Sequence, residues 1–514
     1  MRAMLIRNAE LIGGRQGDVR IAQGRIEAIG QLPPRESELV LDAGGNLLLP
    51  GLHDHHIHVA ALAAASNSIQ CGPPHVTDLA GLTAALQAPG TGWMRGVSYH
   101  ESVAGLLDAA TLDAIAPARP VRVQHRGGRM WFLNSVALDL LLADREAPPG
   151  LEHSGGRPTG RLFEGDAWLK TALDSRPPSF AQVGTMLARV GITGLTEISP
   201  ANDAVIARHF ATEHGSGNLP QKILLAGRFD LSADDVSEHI RLGPVKLHLH
   251  EAALPPLDDA IAGIRQAHER GRPIAVHCAT EVELVFALAA LDEAGTITGD
   301  RIEHASIAPD TAVAEIARLG LAVVSQPHFI SERGDAYRAN VAESDQPLLY
   351  RLRAFLDAGV TLAGGSDAPF GGADPWASMA AAVTRTTAAG TTIGPGEALT
   401  PEQALDLYLA APEALDQLRR VEIGASADLC LLDRKWSHAR ADLASVGVRA
   451  TWIDGRLVRD GVDQAPAQRR AGIDPLARQY HQRGALPADP ARDRHAAPGA
   501  RNHTHRQLRK LKPG

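Results

Sequence analysis

Short apolar runs alternate with longer amphipathic stretches through most of the 514-residue chain, the pattern of strands buried on both faces and joined by helices. Eight strand candidates stand out: Leu48–Leu52, Ile192–Ile198, Lys222–Ala226, Val245–Leu249, Pro273–His277, Arg301–His304, Leu321–Ser325 and Val360–Gly364. Helical periodicity fills the gaps, for instance over Leu257–Arg270 and Glu281–Ala294. Eight parallel strands predict an α/β fold, a (β/α)8 TIM-like barrel. About 140 residues separate the first two strands, far more than one helix requires. Residues 67–180 are therefore expected to form an inserted subdomain, with a strand at Val121–Val123 and a helix at Ser135–Leu142.

The two ends of the chain have another texture. Ala3–Arg7, Asp18–Ala22, Arg25–Gly30, Leu39–Asp42 and Asn46–Leu49 read as short strands between Gly-rich turns and predict a small antiparallel sheet. The same pattern returns in Asp428–Asp433 and Val446–Val458, with a turn at Asp454-Gly455. Joining the ends removes exposed strand edges. The expectation is one β-sandwich built from residues 1–50 and 416–465, a barrel over 51–415 that carries the insertion, and a tail, 466–514. That tail holds 11 Lys/Arg against 3 Asp/Glu with little apolar periodicity, and it is expected to be disordered.

Composition narrows the function classes. Apolar residues at 44% and charged residues at 21% fit a globular chain. A net charge of -8 with only 4% aromatics offers neither attraction to phosphate backbones nor a stacking surface, so no nucleic-acid or membrane partner is expected. A small-molecule substrate is the expected partner, with homo-oligomerisation left open. Cys71, Cys278 and Cys430 are odd in number and widely spaced, which fits a reducing cytoplasm and no disulfide framework.

The unusual count is histidine, 22 in all, clustered where apolar runs end. Barrel chemistry sits at the carboxyl ends of strands. The first strand ends in Pro50-Gly51-Leu52-His53-Asp54-His55-His56-Ile57-His58; His56 and His58, two apart in extended chain, face one way and can share a metal ion. Later strands end in His277, in Glu303-His304, and in Gly364-Gly365-Ser366-Asp367. One buried histidine is more often a hydrogen-bonded core residue than a ligand. Four histidines and an aspartate converging on one barrel end form an N/O set suited to Zn2+ or a similar divalent ion. Lys246, inside the apolar fourth strand, needs pairing, modification or a metal to be tolerated there.

These residues resemble the amidohydrolase superfamily, and within it family 3, the YtcJ-like metal-dependent hydrolases. The resemblance spans about Ala3 to Gly461 and includes the Pro50–His58 run, Lys246, His277, Arg301-Ile302-Glu303-His304 and Ser366-Asp367-Ala368-Pro369. Supporting matches are Leu133–Leu138, Pro158-Thr159-Gly160, Gly191-Ile192-Thr193, Asp374-Pro375-Trp376 and Ala382–Arg385. It implies that His56, His58 and Asp367 bind one metal, and that Lys246, carboxylated by CO2, bridges to a second held by His277 and His304. In a mononuclear version His56, His58, His277 and Asp367 hold one ion, while His304 and Lys246 act around the substrate. Asp367 would pass a proton from the metal-activated water to a leaving nitrogen, with His304 as the second catalytic candidate.

The reaction implied is hydrolysis of an amide or related C–N bond. Ester hydrolysis, a lyase or isomerase step on the same site, or a catalytically silent binding protein are the alternatives. Two departures stand out. Gly128-Arg129 replaces the family's Gly-His pair, so Arg129 could recognise an acidic group, and His248-Leu249-His250 replaces an Asp-Gly continuation after strand four. Arg129, Trp131 and His328 are the candidate substrate contacts. His53 and His55 are expected in supporting roles, and Cys278 is expected to be packed.

Overall fold

A computed structural model describes residues 3–461 except 74, 88, 90, 91, 127, 174–177 and 238. The expected tail, 466–514, lies outside the described residues.

Eight parallel strands form one sheet that curls into a barrel: β1 (Leu52–Ile57), β2 (Ile192–Glu197), β3 (Lys222–Gly227), β4 (Ile240–His248), β5 (Ile274–Cys278), β6 (Arg301–His304), β7 (Ala322–Ser325) and β8 (Leu362–Gly364). Neighbours in sequence are neighbours in space from β1 to β8. The seam is closed just past β8, where the Asp367 N–H donates to His56 O at 2.7 Å and the His58 N–H donates to Ala368 O at 2.9 Å. Closure therefore carries Asp367 to the end of β1. Helices cover the outside, and Leu195, Ile223, Val276, Ile302 and Val323 share one core with the helical residues Leu187, Phe210, Ile264, Leu284 and Trp376.

The first strand differs from its expected bounds. Leu48–Pro50 pairs antiparallel with Leu429–Leu431, whereas Leu52–Ile57 joins the barrel. Gly51 stands at the transition, and a Cβ there would fall 2.1 Å from the Thr193 side chain. One continuous segment thus serves two sheets.

The ends of the chain pack as two four-stranded sheets around a common core of Ile6, Val19, Ile26, Leu429, Leu431 and Trp452. The N-terminal sheet is mixed, because Leu39–Asp42 runs parallel to Met4–Arg7; the antiparallel expectation fails there. The connection from Arg25–Gly30 is long enough for the chain to cross back before pairing. Asp454 and Gly455, with φ of 47° and 72°, form the tight turn between Val448–Ile453 and Arg456–Asp460.

Between β1 and β2 lies a separate six-stranded sheet with its own apolar clusters. The expected strand and helix are present as Val121–His125 and Ser135–Leu142. Asn134 caps that helix by accepting from the Ala137 N–H at 3.0 Å. Among the described residues no helix is long and apolar enough to cross a membrane.

Candidate metal centre

The site forms where β1 ends and the turn after β8 folds against it. Pairing slips by one residue between β1 and β2, Asp54 lying opposite Leu195 and Ile57 opposite Glu197. This bulge interrupts strict alternation; the strand is covered on both faces, so the adjacent His55 and His56 are both buried. His58 lies past the strand, at the start of the helix Val59–Ser66. His56 Nε2 and His58 Nε2 each lie 3.2 Å from Asp367 Oδ1. Ligand atoms of these three residues fall within 4.8 Å of one another.

Each imidazole is oriented from behind. His56 Nδ1 donates to Glu303 Oε2 at 2.5 Å, and Glu303 Oε1 accepts from Arg301 Nε at 2.7 Å. His58 Nδ1 meets Ser199 Oγ at 2.8 Å, and His304 Nδ1 donates to Gln326 Oε1 at 2.8 Å. With Nδ1 occupied, Nε2 is the atom presented to the centre. Asp54 Oδ1 accepts from the backbone N–H groups of His56 and Ser366, at 3.1 and 2.9 Å, tying β1 to the turn that holds Asp367.

His277 and His304 complete the cluster. Their ring centroids are 4.6 Å apart, and His304 lies 4.7 Å from His56. Lys246 is 5% exposed and its Nζ has no hydrogen-bond partner. Burial lowers its pKa to about 8, so more of the neutral amine is present at neutral pH than in an exposed lysine. Burial likewise holds His277 far below its ordinary value and brings His304 down to about 3. Burial pushes Asp367 up, but its contacts with His56 and His58 outweigh that and leave it well below the usual carboxylate range. His277 and His304 are thus held neutral, whereas His56, between the Glu303 and Asp367 carboxylates, is shifted up despite its burial. Imidazole nitrogens beside an ionised carboxylate are the donor types a divalent cation takes, and a cation bound there would displace the His56 proton.

Backbone geometry singles out the same residues. His304, Ala305 and Asp367 have φ of 71°, 46° and 52°, a left-handed conformation that costs non-glycine residues of order 1–3 kcal/mol each. Gly365 is needed for close approach rather than for its torsions: a Cβ there would lie 2.4 Å from His56 Cβ and 2.6 Å from His56 N. Gly365→Ala is expected to displace His56 and lower activity by roughly 100-fold. Steady-state kinetics beside a melting curve checks this, and activity near the wild-type level would refute it.

The three expected substrate contacts each have partners in the structure. Trp131 is packed in a core of the insertion and donates from Nε1 to Asp166 Oδ1 at 3.2 Å. Arg129 is exposed, covers the Phe163 ring at 4.7 Å and pairs with Glu164. His328 is buried beside the site, its Nδ1 3.0 Å from Ser378 Oγ and its Nε2 donating to Ser366 O at 3.0 Å. It braces the turn that carries Asp367. His53 Nε2 lies 3.0 Å from Thr196 Oγ1, and Cys278 is fully buried, the supporting and packed positions expected for them.

Several contributors did not stand out in sequence. His248, stacked on His277 at 4.4 Å, had a usable signal, lying two residues beyond Lys246 on one strand. Glu303 was visible beside His304 in the Arg301-Ile302-Glu303-His304 motif, but no signal in the sequence showed that it holds His56. Ser199 and Gln326 had none, since each acts only through a histidine on a distant segment.

The geometry agrees with comparisons to known proteins. A model of the amidohydrolase family matches residues 39–459. The chain is 27% identical to an N-substituted formamide deformylase of Arthrobacter pascens over 87% of this chain and 94% of that one. Among solved structures, a metal-dependent hydrolase from Pyrococcus furiosus superposes with a TM-score of 0.67 at 21% identity, covering 84% of this chain and 99% of that one. N-isopropylammelide isopropylaminohydrolase from Burkholderia multivorans shares the fold with a TM-score of 0.53 at 18% identity, over 90% of this chain and 99% of that one. The strand-end histidines, the aspartate after β8 and a family match across most of the length give one answer: this chain belongs to the amidohydrolase family, in its family 3, and is an amidohydrolase.

Proposed function

We propose that the protein hydrolyses a non-peptide C–N bond, an amide or formamide, of a small molecule at a metal centre formed by His56, His58 and Asp367. The observation that carries this reading is the convergence of two Nε2 atoms on one carboxylate oxygen, both at 3.2 Å. His277, His304 and Lys246, once carboxylated, would hold a second ion. The orphaned Lys246 Nζ supports carboxylation, because a neutral buried amine can add CO2 and becomes an anionic oxygen ligand. Zn2+ suits the imidazole and carboxylate donors. Bound there, a divalent cation supplies Lewis acidity and makes nearby water more acidic.

The chain's own groups do the rest. Asp367, ionised in this setting, takes a proton from the attacking water as the new C–O bond forms, then returns it to the nitrogen as the C–N bond breaks. His304, held neutral by burial, serves as a ligand rather than as the proton donor. Glu303, Ser199 and Gln326 keep the imidazoles facing the centre, and the Asp54 and His328 contacts hold the turn.

The direct test is a screen of N-substituted formamides, other amides and esters, run in 18O-labelled water. Label in the acid product with release of amine is expected; turnover without label would refute hydrolysis. Metal analysis of protein purified without chelator is expected to give about two divalent ions per chain, falling to about one in Lys246→Ala. Two ions retained in that variant would remove Lys246 from the ligand set.

A further inference from the structure

The helix His328–Asn340 begins beside the metal centre, and its second turn carries Arg333, a cation in no ion pair with a carboxylate among the described residues. The Arg333 guanidinium stacks on the Phe329 ring, 3.6 Å from its centroid, and Nη2 donates to the carbonyl of Phe370. Phe370 follows Asp367 in the same turn, where its N–H donates to Asp367 O at 2.7 Å, and its ring stands edge-on to His58 at 5.5 Å. Arg333 is thereby placed at the rim of the His58–Asp367 cluster.

Asp367 and Glu332 are near enough to act on its charge, but neither is in direct contact with it. Among the described residues no carboxylate forms an ion pair with Arg333, and its Nε is buried without a hydrogen-bond partner. The adjacent Glu332 accepts from the Gly372 N–H at 3.0 Å instead. Tyr337 and Tyr350 are near enough to act on the guanidinium's charge; their hydroxyls are 3.2 Å apart, and Ser306 donates to the Tyr350 hydroxyl at 3.1 Å. Ser306 stands two residues beyond His304, so this polar wall runs from β6 to Arg333. Half-buried arginines are normally paired, because desolvating an unpaired cation is costly. A guanidinium fixed by stacking and one carbonyl is preorganised for a planar anion.

We propose that Arg333, with the Tyr337–Tyr350 hydroxyl pair, binds a carboxylate on the substrate and makes the enzyme selective for acidic amides. This rests on the hydrolase reading for the bond that is cleaved, but not for the binding itself. Arg129, to which the sequence suggested the same role, is exposed and paired with Glu164.

The test pairs an N-substituted formamide ending in a carboxylate with its carboxamide isostere, using zinc-loaded wild type, Arg333→Met and Arg333→Lys. Calorimetric binding of the deformylated acid and of its carboxamide is measured alongside. Wild type is expected to prefer the acid by about 10-fold or more in kcat/KM and in affinity, with the preference falling to within about twofold in Arg333→Met and partly recovering in Arg333→Lys. No preference in the wild type, with both formamides cleaved, would overturn the Arg333 site and leave the hydrolase reading standing. A preference that survives in Arg333→Met would place the carboxylate on the metal and also overturn it. Acid-selective binding that Arg333→Met abolishes, with neither formamide cleaved, would sustain the site and remove the hydrolase reading.

Discussion

Asp367→Asn is expected to lower kcat/KM by roughly 10²–10⁴, the range associated with loss of a positioned general acid or base. The substitution keeps the side-chain volume, and asparagine tolerates the left-handed backbone that Asp367 adopts at φ 52°. The seam hydrogen bond from the residue-367 N–H to His56 O involves backbone alone, so barrel closure survives. What is lost is the charge that sits 3.2 Å from both His56 and His58, and the oxygen that accepts and returns the proton. Steady-state kinetics and metal analysis on one preparation separate the effects. Low activity with metal retained marks the proton-transfer role, whereas metal loss marks the ligand role. Activity within about tenfold of wild type would remove Asp367 from the reaction.

The parts of this site that sequence made legible are those whose signal is local. His56, His58, His277, His304 and Asp367 each lie at the end of an apolar run, and in a parallel barrel that placement alone brings them to one mouth. The dual role of Leu48–Ile57 was hidden because the apolar run Leu48–Leu52 crosses the break without interruption, and only Gly51, wedged against Thr193, marks it. The parallel pairing of Leu39–Asp42 was hidden because strand direction depends on a crossover, not on alternation. Trp131 and Arg129 were attractive for their residue types, yet the insertion uses one in its core and neutralises the other with Glu164. Arg333 lies in a polar helix with no sequence feature to single it out; only tertiary placement shows that, among the described residues, it stacks on Phe329 and bonds a carbonyl without an ion pair to a carboxylate.

Glu303 carries the second large effect, because it is the sole carboxylate between two buried groups. Its Oε1 holds Arg301 at 2.7 Å and its Oε2 holds His56 at 2.5 Å, with side chains 2%, 0% and 1% exposed. Burial alone would drive its proton affinity up, yet Arg301 and His56 hold the carboxyl well below its ordinary range, so it is charged in the folded protein. Removing one member of a buried pair strands the other without water to solvate it, and Glu303→Leu is expected to destabilise the fold by about 3–5 kcal/mol. Glu303→Gln keeps an acceptor for His56 while discarding the charge, so its fold should suffer less. Since groups behind a ligand usually tune metal affinity by about 10–100-fold, Glu303→Gln should bind zinc more weakly by that factor even where the melting temperature is close to wild type. Denaturant unfolding of the metal-free protein and chelator competition on the loaded protein measure the two quantities separately. Wild-type zinc affinity in a folded Glu303→Gln would show that His56 orients without its charged partner, and would reduce Glu303 to a purely structural counter-ion for Arg301.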